Sequence, residues 1–419
     1  MMTMKRFAAF VLGVVFLSML FVVPAIAATV KVTMRTLPAT AGQKFLKKAV
    51  KRFKKKTGIK IKLELVSSGV VRRRLITAAE TKAGSDIIIA QFNGAVTIAN
   101  ALEDVDDIVE PYAKKYGVLP LFKDAGFIKG HWKAVPFVNI SQLITYRKDI
   151  LKKIGENPPD TWEDALRVGK KLKAAGLPPW AEALGSHPID PSSTVLNILW
   201  GYGSRQVSPD GKKITIDSAE TRAGLKFIKK AFNEAWPKAV LQWTAVENNQ
   251  TFIAGKISMT TNSPSIAWKA NSKKKWAKLA SNTGLAPIPR GPSGRHSTTI
   301  PLSWVLFKHS KVKKEAKEFL KFMMEPEQQV GYSAGAWMAV PAFIEMAKDL
   351  PDAPHYRAMA EQAKFSHMPG WPGPASRAGV ETHERFVLLN MAQRYVQGED
   401  LDTTIKKTVK ELRRIYGVN

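Results

Sequence analysis

Hydrophobic and polar positions alternate in two early stretches, VKVTMR (residues 30–35) and IKIKLELV (residues 59–66), and this period of two predicts β-strands. The segment between them carries its apolar side chains on one helical face and its lysines on the other, and VVRRRLITAAETKAG (residues 70–84) is predicted to form a second helix that ends at Gly84. SDIIIAQFN (residues 85–93) contains a continuous apolar run, typical of a strand buried in a parallel sheet. This β-α-β-α-β order predicts an α/β lobe with right-handed crossovers.

Polar residues follow the apolar part of the third predicted strand. In open sheets of this kind, ligands bind beyond the carboxyl ends of the strands. Gln91 and Asn93 occupy that position, and residues 34–36 take the matching place after the first strand. We therefore expect Gln91 and Asn93 to face a ligand. The alternative is that they form hydrogen bonds within their own loop.

The N-terminus has the layout of a secretory signal peptide. Lys5 and Arg6 precede a long apolar run, and Ala25 and Ala27 stand at the small-residue positions of a cleavage site. We expect cleavage after Ala27, so that residues 1–27 are removed and the mature protein works in the periplasm; a retained membrane anchor is the alternative. The sequence has no cysteine, so it forms no disulfide and does not carry the lipid of a bacterial lipoprotein.

The composition is strongly basic, with 64 Lys+Arg against 35 Asp+Glu and a formal net charge of +29. Loss of Lys5 and Arg6 with the signal peptide leaves +27. Such a charge suggests nucleic acid or an anionic membrane as a partner. The densest basic segment, residues 47–62, is however predicted to be the solvated face of an amphipathic helix, and no zinc-finger or RNP-like motif accompanies it. With export added, we expect no nucleic-acid partner.

Four blocks later in the chain carry a family resemblance. They are VPFVNISQLITYRKDIL followed by a Pro-rich turn and TWEDALRVGKKL, then FIAGKISMTTNSPSIAW, then APIPRGPSGRHSTTIPLSWVLF with the charged helix after it, and finally YVQGEDLDTTIKKTVKEL. In this order they resemble the family 1 extracellular solute-binding proteins, the maltose-binding-like group that serves bacterial ABC transporters. The resemblance covers nearly all of the mature chain.

The resemblance implies two α/β lobes joined by three hinge crossings, with a ligand cleft between the lobes. A chain of 419 residues is also too long for one ordinary domain. The family pattern places the crossings near residues 135–139, 298–302 and 332–341. We accordingly expect a first lobe of residues 28–138 and 302–336, and a second lobe of residues 139–301 and 337–419.

Tryptophans are the first class of candidate site residues, because the C–H faces of sugars stack on aromatic rings. Trp337 lies in GYSAGAWMAVP (residues 331–341), which we predict to be a loop beside the hinge, where the family resemblance implies contact with the ligand. Trp304 follows the second crossing, with packing inside the first lobe as its alternative role. Trp243 and Trp371 stand in predicted loops. Trp162 instead follows a capping-box-like Thr161 and keeps helical spacing, so we expect it in the core.

Polar residues are the second class. Asn262 and Ser263 follow a predicted strand at a position that matches the family's cleft, although Ser265 stands where maltose-type members have a tryptophan, which argues against long maltodextrins as ligand. Asp190 lies in the loop GSHPIDP, where a turn-forming role is equally expected. Arg377 begins a predicted helix that runs to Gly398 and resembles the ligand-contacting arginine of the glycerol-phosphate-binding branch. Its alternative is a surface ion pair with Glu381.

The sequence therefore predicts a monomeric binding protein that passes a sugar, oligosaccharide or polyol to the permease subunits of an ABC importer. An anionic ligand, such as a sugar phosphate, glycerol phosphodiester or acidic sugar, is the alternative for the same role. A periplasmic polysaccharide-active enzyme is the alternative from a different class. We find no nucleophile elbow, P-loop, metalloprotease motif or thiol, so no catalysis, cofactor or metal is expected.

Overall fold

The computed structural model describes residues 28–418, and the expected signal peptide lies outside the described residues. The strands are β1 (Thr29–Arg35), β2 (Lys60–Val66), β3 (Ile87–Gln91), β4 (Phe127–Ile128), β5 (His131–Trp132), β6 (Val135–Ser141), β7 (Leu143–Arg147), β8 (Met259–Asn262), β9 (Thr283–Ala286), β10 (Ser297–Leu306), β11 (Val340–Pro341) and β12 (Ser366–His367). The α-helices are α1 (Thr40–Thr57), α2 (Ser68–Thr81), α3 (Gly94–Thr97), α4 (Asp106–Tyr116), α5 (Pro120–Gly126), α6 (Lys148–Lys153), α7 (Trp162–Ala174), α8 (Asp190–Gly201), α9 (Ala219–Glu234), α10 (Glu247–Ile253), α11 (Ser265–Asn271), α12 (Ala277–Asn282), α13 (Lys313–Met324), α14 (Pro326–Ala336), α15 (Pro354–Ala363), α16 (Arg377–Glu384), α17 (Val387–Val396) and α18 (Leu401–Tyr416).

The predicted order of the first five elements is confirmed. Helix α1 buries Leu46, Ala49 and Phe53 on one face and ends at Gly58, whose φ of 77° suits glycine. Strand β1 pairs in parallel with both β2 and β3. Among residues 28–418, none of the helices has the length and apolar character needed to cross a membrane.

The buried apolar side chains form two separate cores. The first surrounds a sheet of order β11-β6-β10-β3-β1-β2, with β12 paired to β10, and draws on residues 30–140 and 300–363. The second surrounds the antiparallel sheet β8-β7-β9 and draws on residues 144–288 and 387–412. Trp162 is fully buried in this second core, as predicted. Helix α8 is buried along its whole length.

A small third cluster lies where the chain passes between the two cores. It contains Leu143, Val340, Tyr356 and Met359. Strand β6 belongs to the first sheet, and β7, which begins after one intervening residue, belongs to the second sheet. The cluster at this passage therefore marks the hinge.

The third crossing differs from the prediction. The sequence predicts that residues 337–419 belong to the second lobe. In the structure, Met338, Phe343 and Met346 are buried in the first core. The cause is β11, which pairs with β6 and keeps this segment on the first sheet. Beyond this crossing, the chain returns to the second core only after Ala363, beginning with the partly buried Trp371.

Two predictions of local structure were wrong. Residues 331–336 complete helix α14 and do not form a loop, and Trp337 ends that helix in the left-handed conformation with φ of 64°. The single helix expected from Arg377 to Gly398 is two helices, because Phe386 has φ of 58° and separates α16 from α17.

Candidate functional site

The first polar cluster lies in the second lobe around Asp190. One carboxylate oxygen of Asp190 accepts hydrogen bonds from Nδ2 of Asn248 and Nδ2 of Asn262, both at 3.0 Å. Burial raises the pKa of Asp190 to about 7, although both amide bonds favour the ionised form. Asn262 pairs with Leu143 of the hinge cluster, so this group stands at the hinge end of the second sheet.

Hydroxyl groups extend this cluster. The Asn262 side-chain oxygen accepts from Oγ of Ser263 at 3.2 Å and Oγ of Ser265 at 3.0 Å. The Asn249 side-chain oxygen accepts from Asn262 at 3.2 Å and from Ser265 at 3.2 Å. The structure therefore brings together three predicted site residues, Asp190, Asn262 and Ser263. It adds Asn248 and Asn249, which sequence reasoning did not place in the site, and Ser265, which was noted only as the position where maltose-type members have a tryptophan.

A buried carboxylate supports this cluster from behind. Glu182 accepts hydrogen bonds from the backbone N–H and hydroxyl of Thr261, from Nε1 of Trp180 at 2.8 Å and from the hydroxyl of Thr194 at 3.3 Å. Burial raises its pKa to about 7. Because Thr261 precedes Asn262 and Thr194 lies on α8, Glu182 holds β8 and α8 in register beneath the Asp190 cluster.

The second polar cluster lies at the hinge edge of the first sheet. Oε1 of Gln91 accepts hydrogen bonds from Nη1 of Arg35 at 2.6 Å and Oγ of Ser68 at 2.8 Å. Gln91 pairs with Leu302, and the backbone N–H of Phe92 donates to Pro301 at 3.2 Å, so this edge adjoins the β10 crossing. Sequence reasoning named Gln91 and the range 34–36, which contains Arg35, but missed Ser68.

The two lobes touch beside these clusters. Nδ2 of Asn93, in the first lobe, donates to the carbonyl of Pro369 at 3.2 Å. The Phe92 ring lies 5.7 Å from that of His383 on α16. Arg72 on α2 forms an ion pair with Glu384, also on α16. The side chain of Asn93 thus forms its hydrogen bond across the lobes and not within its own loop.

The predicted tryptophans lie in different environments. Trp337 is partly buried and stacks on His355, with ring centroids 4.0 Å apart and planes at 15°. His355 adjoins Tyr356 of the hinge cluster, so Trp337 stands beside the hinge. Trp371 is also partly buried, stacks on His367 at 3.8 Å and lies under the guanidinium of Arg205 at 4.0 Å.

Trp304 requires a correction. Its side chain is 0% exposed and lies in the first core, 5.2 Å from the ring of Phe137 and 6.4 Å from that of Phe319. It sits on β10, between β6 and β3, where it is covered on both sides of the strand. Trp304 is a packing residue and has no surface to offer a ligand.

Trp243 and Arg377 lie at the margins of the site. Trp243 packs partly against the second core, and its carbonyl accepts from the N–H of Gly185 at 2.7 Å, which ties it to the loop before Asp190. Arg377 is exposed at the first residue of α16, after the N-cap Ser376. The predicted alternative pair with Glu381 does not form, because Glu381 pairs with Arg385.

A sizeable groove lies elsewhere, on the outer face of the second lobe between α7 and α9. Its volume is about 650 Å³, and its residues are Glu163, Leu166, Arg167, Lys170, Lys171, Tyr202, Ala223, Lys226, Phe227 and Lys230. It shares no residue with either polar cluster. We place the candidate site at the hinge edges of the two sheets, because polar side chains converge there from both lobes.

Known proteins resemble this chain over most of its length. The profile of the bacterial extracellular solute-binding protein family matches residues 38–330. A probable ABC transporter-binding protein of Deinococcus radiodurans is 26% identical over 337 residues, which are 78% of this chain and 78% of that protein. A mannitol-binding protein of Pseudomonas aeruginosa is 25% identical over 278 residues, covering 62% of this chain and 61% of that protein.

A solved structure shows the same fold. Maltose-bound MalE3 of T. maritima aligns with a TM-score of 0.77 at 21% identity, over 93% of this chain and 100% of that one. The predicted two-lobe α/β fold class is thereby confirmed. With the family profile covering most of its length, the chain belongs to the bacterial extracellular solute-binding proteins of ABC transporters.

Proposed function

We propose that this protein captures a sugar, oligosaccharide or polyol in the periplasm and delivers it, as a monomer, to the permease subunits of an ABC importer. One observation carries the proposal: a hydrogen-bonded network at the hinge end of the second lobe joins the partly exposed Asn249, Ser263 and Ser265 to the buried Asp190, Asn248 and Asn262. A ligand with many hydroxyl groups needs such a dense set of donors and acceptors. The mannitol-binding relative supports a polyol as one member of this ligand class.

Capture would depend on closure of the two lobes. A ligand that contacts Asp190 in one lobe and Gln91 in the other favours the closed arrangement over the open one, because only the closed arrangement offers both sets of contacts. Trp337 supplies an aromatic ring near the hinge, where a sugar face would stack. Both faces of the Trp371 ring are already covered, by His367 and by Arg205.

A binding role without catalysis is the proposal, since the relatives named above are binding proteins. A turnover assay on plant and microbial polysaccharides tests the different-class alternative. Release of reducing ends above the level of a heat-inactivated control would favour the enzyme.

A thermal-shift panel tests the ligand class. Purified mature protein is heated with sugars, oligosaccharides, polyols and phosphorylated analogues, and the melting temperature is recorded. A true ligand at a hundredfold excess over its Kd stabilises the protein by about 2.7 kcal/mol. Asn262→Ala serves as the site control and should abolish the shift. If no compound in the panel raises the melting temperature, the proposed ligand class is wrong.

A further inference from the structure

Arg35 is a partly buried cation with an incomplete set of partners. Its Nη1 donates to Gln91 at 2.6 Å, while its Nε is buried and has no hydrogen-bond partner within residues 28–418. In the same part of the chain, no carboxylate lies within 4.0 Å of its guanidinium. Burial lowers the pKa of Arg35, and the neighbouring Tyr332 opposes that change.

Other arginines of the chain are better compensated. Arg147 forms two parallel bonds with Asp149, at 2.8 and 2.7 Å. Arg205 also lacks a carboxylate, but its Nη1 donates to two backbone carbonyls and its guanidinium covers the ring of Trp371. Removing a charge from water without a counter-ion costs free energy. Arg35 carries that cost with a single amide oxygen as its acceptor.

The location of Arg35 suggests what would offset the cost. It is the last residue of β1, beside Gln91 at the end of β3, on the edge of the first sheet that adjoins the hinge. The Asp190 cluster occupies the hinge edge of the second sheet. A ligand held between these edges would place one end at Arg35 and the other at the amides and hydroxyls of the second lobe.

We propose that the ligand carries an anionic oxygen group, a carboxylate or a phosphate, which Arg35 binds while the ligand hydroxyls reach the partly exposed Asn249, Ser263 and Ser265. The guanidinium presents a rigid fork of donors that matches such a group, and the oxygen of Gln91 holds that fork in place. The net charge of +29 for the whole chain would also attract an anionic ligand. This inference rests on the proposed function and narrows it from polyhydroxylated ligands in general to acidic ones.

Matched ligand pairs test the inference on the unmodified protein. Each pair shares its hydroxyl pattern and differs in one acidic group: glucuronate with glucose, galacturonate with galactose, gluconate with sorbitol, and each hexose 6-phosphate with its hexose. Calorimetry gives the Kd of each member. We expect the acidic member of the pair that binds to have a Kd at least tenfold lower. The carboxylate and phosphate pairs distinguish the two sources of the anion.

A variant series then assigns the effect to Arg35. Arg35→Gln should raise the Kd of the acidic ligand at least tenfold and change the Kd of its neutral counterpart by less than twofold. For Arg35→Lys, the Kd of the acidic ligand should lie between the values of the unmodified protein and of Arg35→Gln. Arg74→Gln removes the same charge from an exposed ion pair in the same lobe and should change neither value.

A neutral member that binds as tightly as its acidic partner to the unmodified protein would overturn this inference and leave the proposed function intact. Absence of binding by every acidic member, while a neutral compound of the thermal-shift panel binds, would overturn this inference alone; absence of binding by every member of the pairs and of that panel would overturn both.

Discussion

Asp190 lies in the candidate site and is deeply buried, and its burial gives the stability of the protein a dependence on pH. Its folded-state pKa is about 7, whereas the ordinary value is 3.8. A carboxyl group whose pKa is raised by folding binds more protons in the folded state than in the unfolded state between these two values. Its ionisation therefore lowers the stability of the wild-type protein as pH rises from about 4 to 7.

Asp190→Asn removes this titration and keeps an oxygen acceptor for Asn248 and Asn262. We expect the variant to gain stability relative to wild type as pH rises, on the order of 1 to 4 kcal/mol between pH 4 and pH 8, with the upper figure set by 1.36 kcal/mol per pKa unit. Denaturant unfolding at both pH values measures the difference. An offset that is the same at pH 4 and pH 8 would show that Asp190 does not titrate in this range.

An experiment can separate a packing role of Trp337 from a binding role. It adopts φ of 64°, a conformation that costs free energy for a bulky side chain, and it stacks on His355. If the ring also contacts ligand, Trp337→Ala should raise the Kd at least tenfold, and ligand should change the tryptophan fluorescence of the wild type. His355→Ala is the matched control, because it removes the stacking partner and leaves the indole. A Trp337→Ala protein that melts lower but binds with unchanged Kd would assign Trp337 to packing alone.

At the scale of elements, α2 and the start of α3 meet α16 across the lobes. The Arg72–Glu384 pair, the Phe92–His383 contact and the bond from Asn93 to Pro369 join the two lobes. We expect these contacts to stabilise the arrangement that encloses the ligand and so to favour ligand retention.

Arg72→Ala and Glu384→Ala test this interlobe contact. Both side chains are partly exposed, so the pair is worth less than about 1 kcal/mol and each variant should raise the ligand Kd only a few-fold. The double variant should bind ligand with the same Kd as either single variant, because each single substitution already breaks the pair. Arg74→Ala breaks an ion pair on the same helix but within the first lobe and is the control. Fully additive effects of the two substitutions would mean that the pair does not act as a unit.

At the scale of the whole molecule, the parts predicted from sequence are those with local signals. The β1-α1-β2-α2-β3 order follows from apolar periods of 2 and 3.6 residues, and the start of α7 follows from its capping box at Thr161. The position of the third crossing could not be predicted from local sequence, because it is set by the pairing of β11 with β6, some 200 residues earlier in the chain. The break between α16 and α17 likewise depends on Phe386 adopting φ of 58° in its packed environment.

The same distinction applies to the site. Asp190 and Asn262 were named from their places after predicted elements, but their contact joins residues 72 positions apart. Asn248 and Asn249 have no motif of their own and enter the cluster only through tertiary packing. Trp304 has the same sequence context as a cleft tryptophan, and only the sheet that covers it shows that it is buried.

The complete burial of α8 bears on how easily this protein could acquire a new ligand preference. Asp190 is the first residue of a helix whose twelve members are all buried, so a bulky substitution at Asp190 would disturb the second core as well as the candidate site. Ser68 and Gln91 lie at the partly exposed edge of the first sheet and are joined to little besides Arg35 and each other. Selection for a different ligand should therefore accumulate substitutions on the first-lobe wall of the cleft, while the second-lobe wall stays constant as the structural foundation of the binding site.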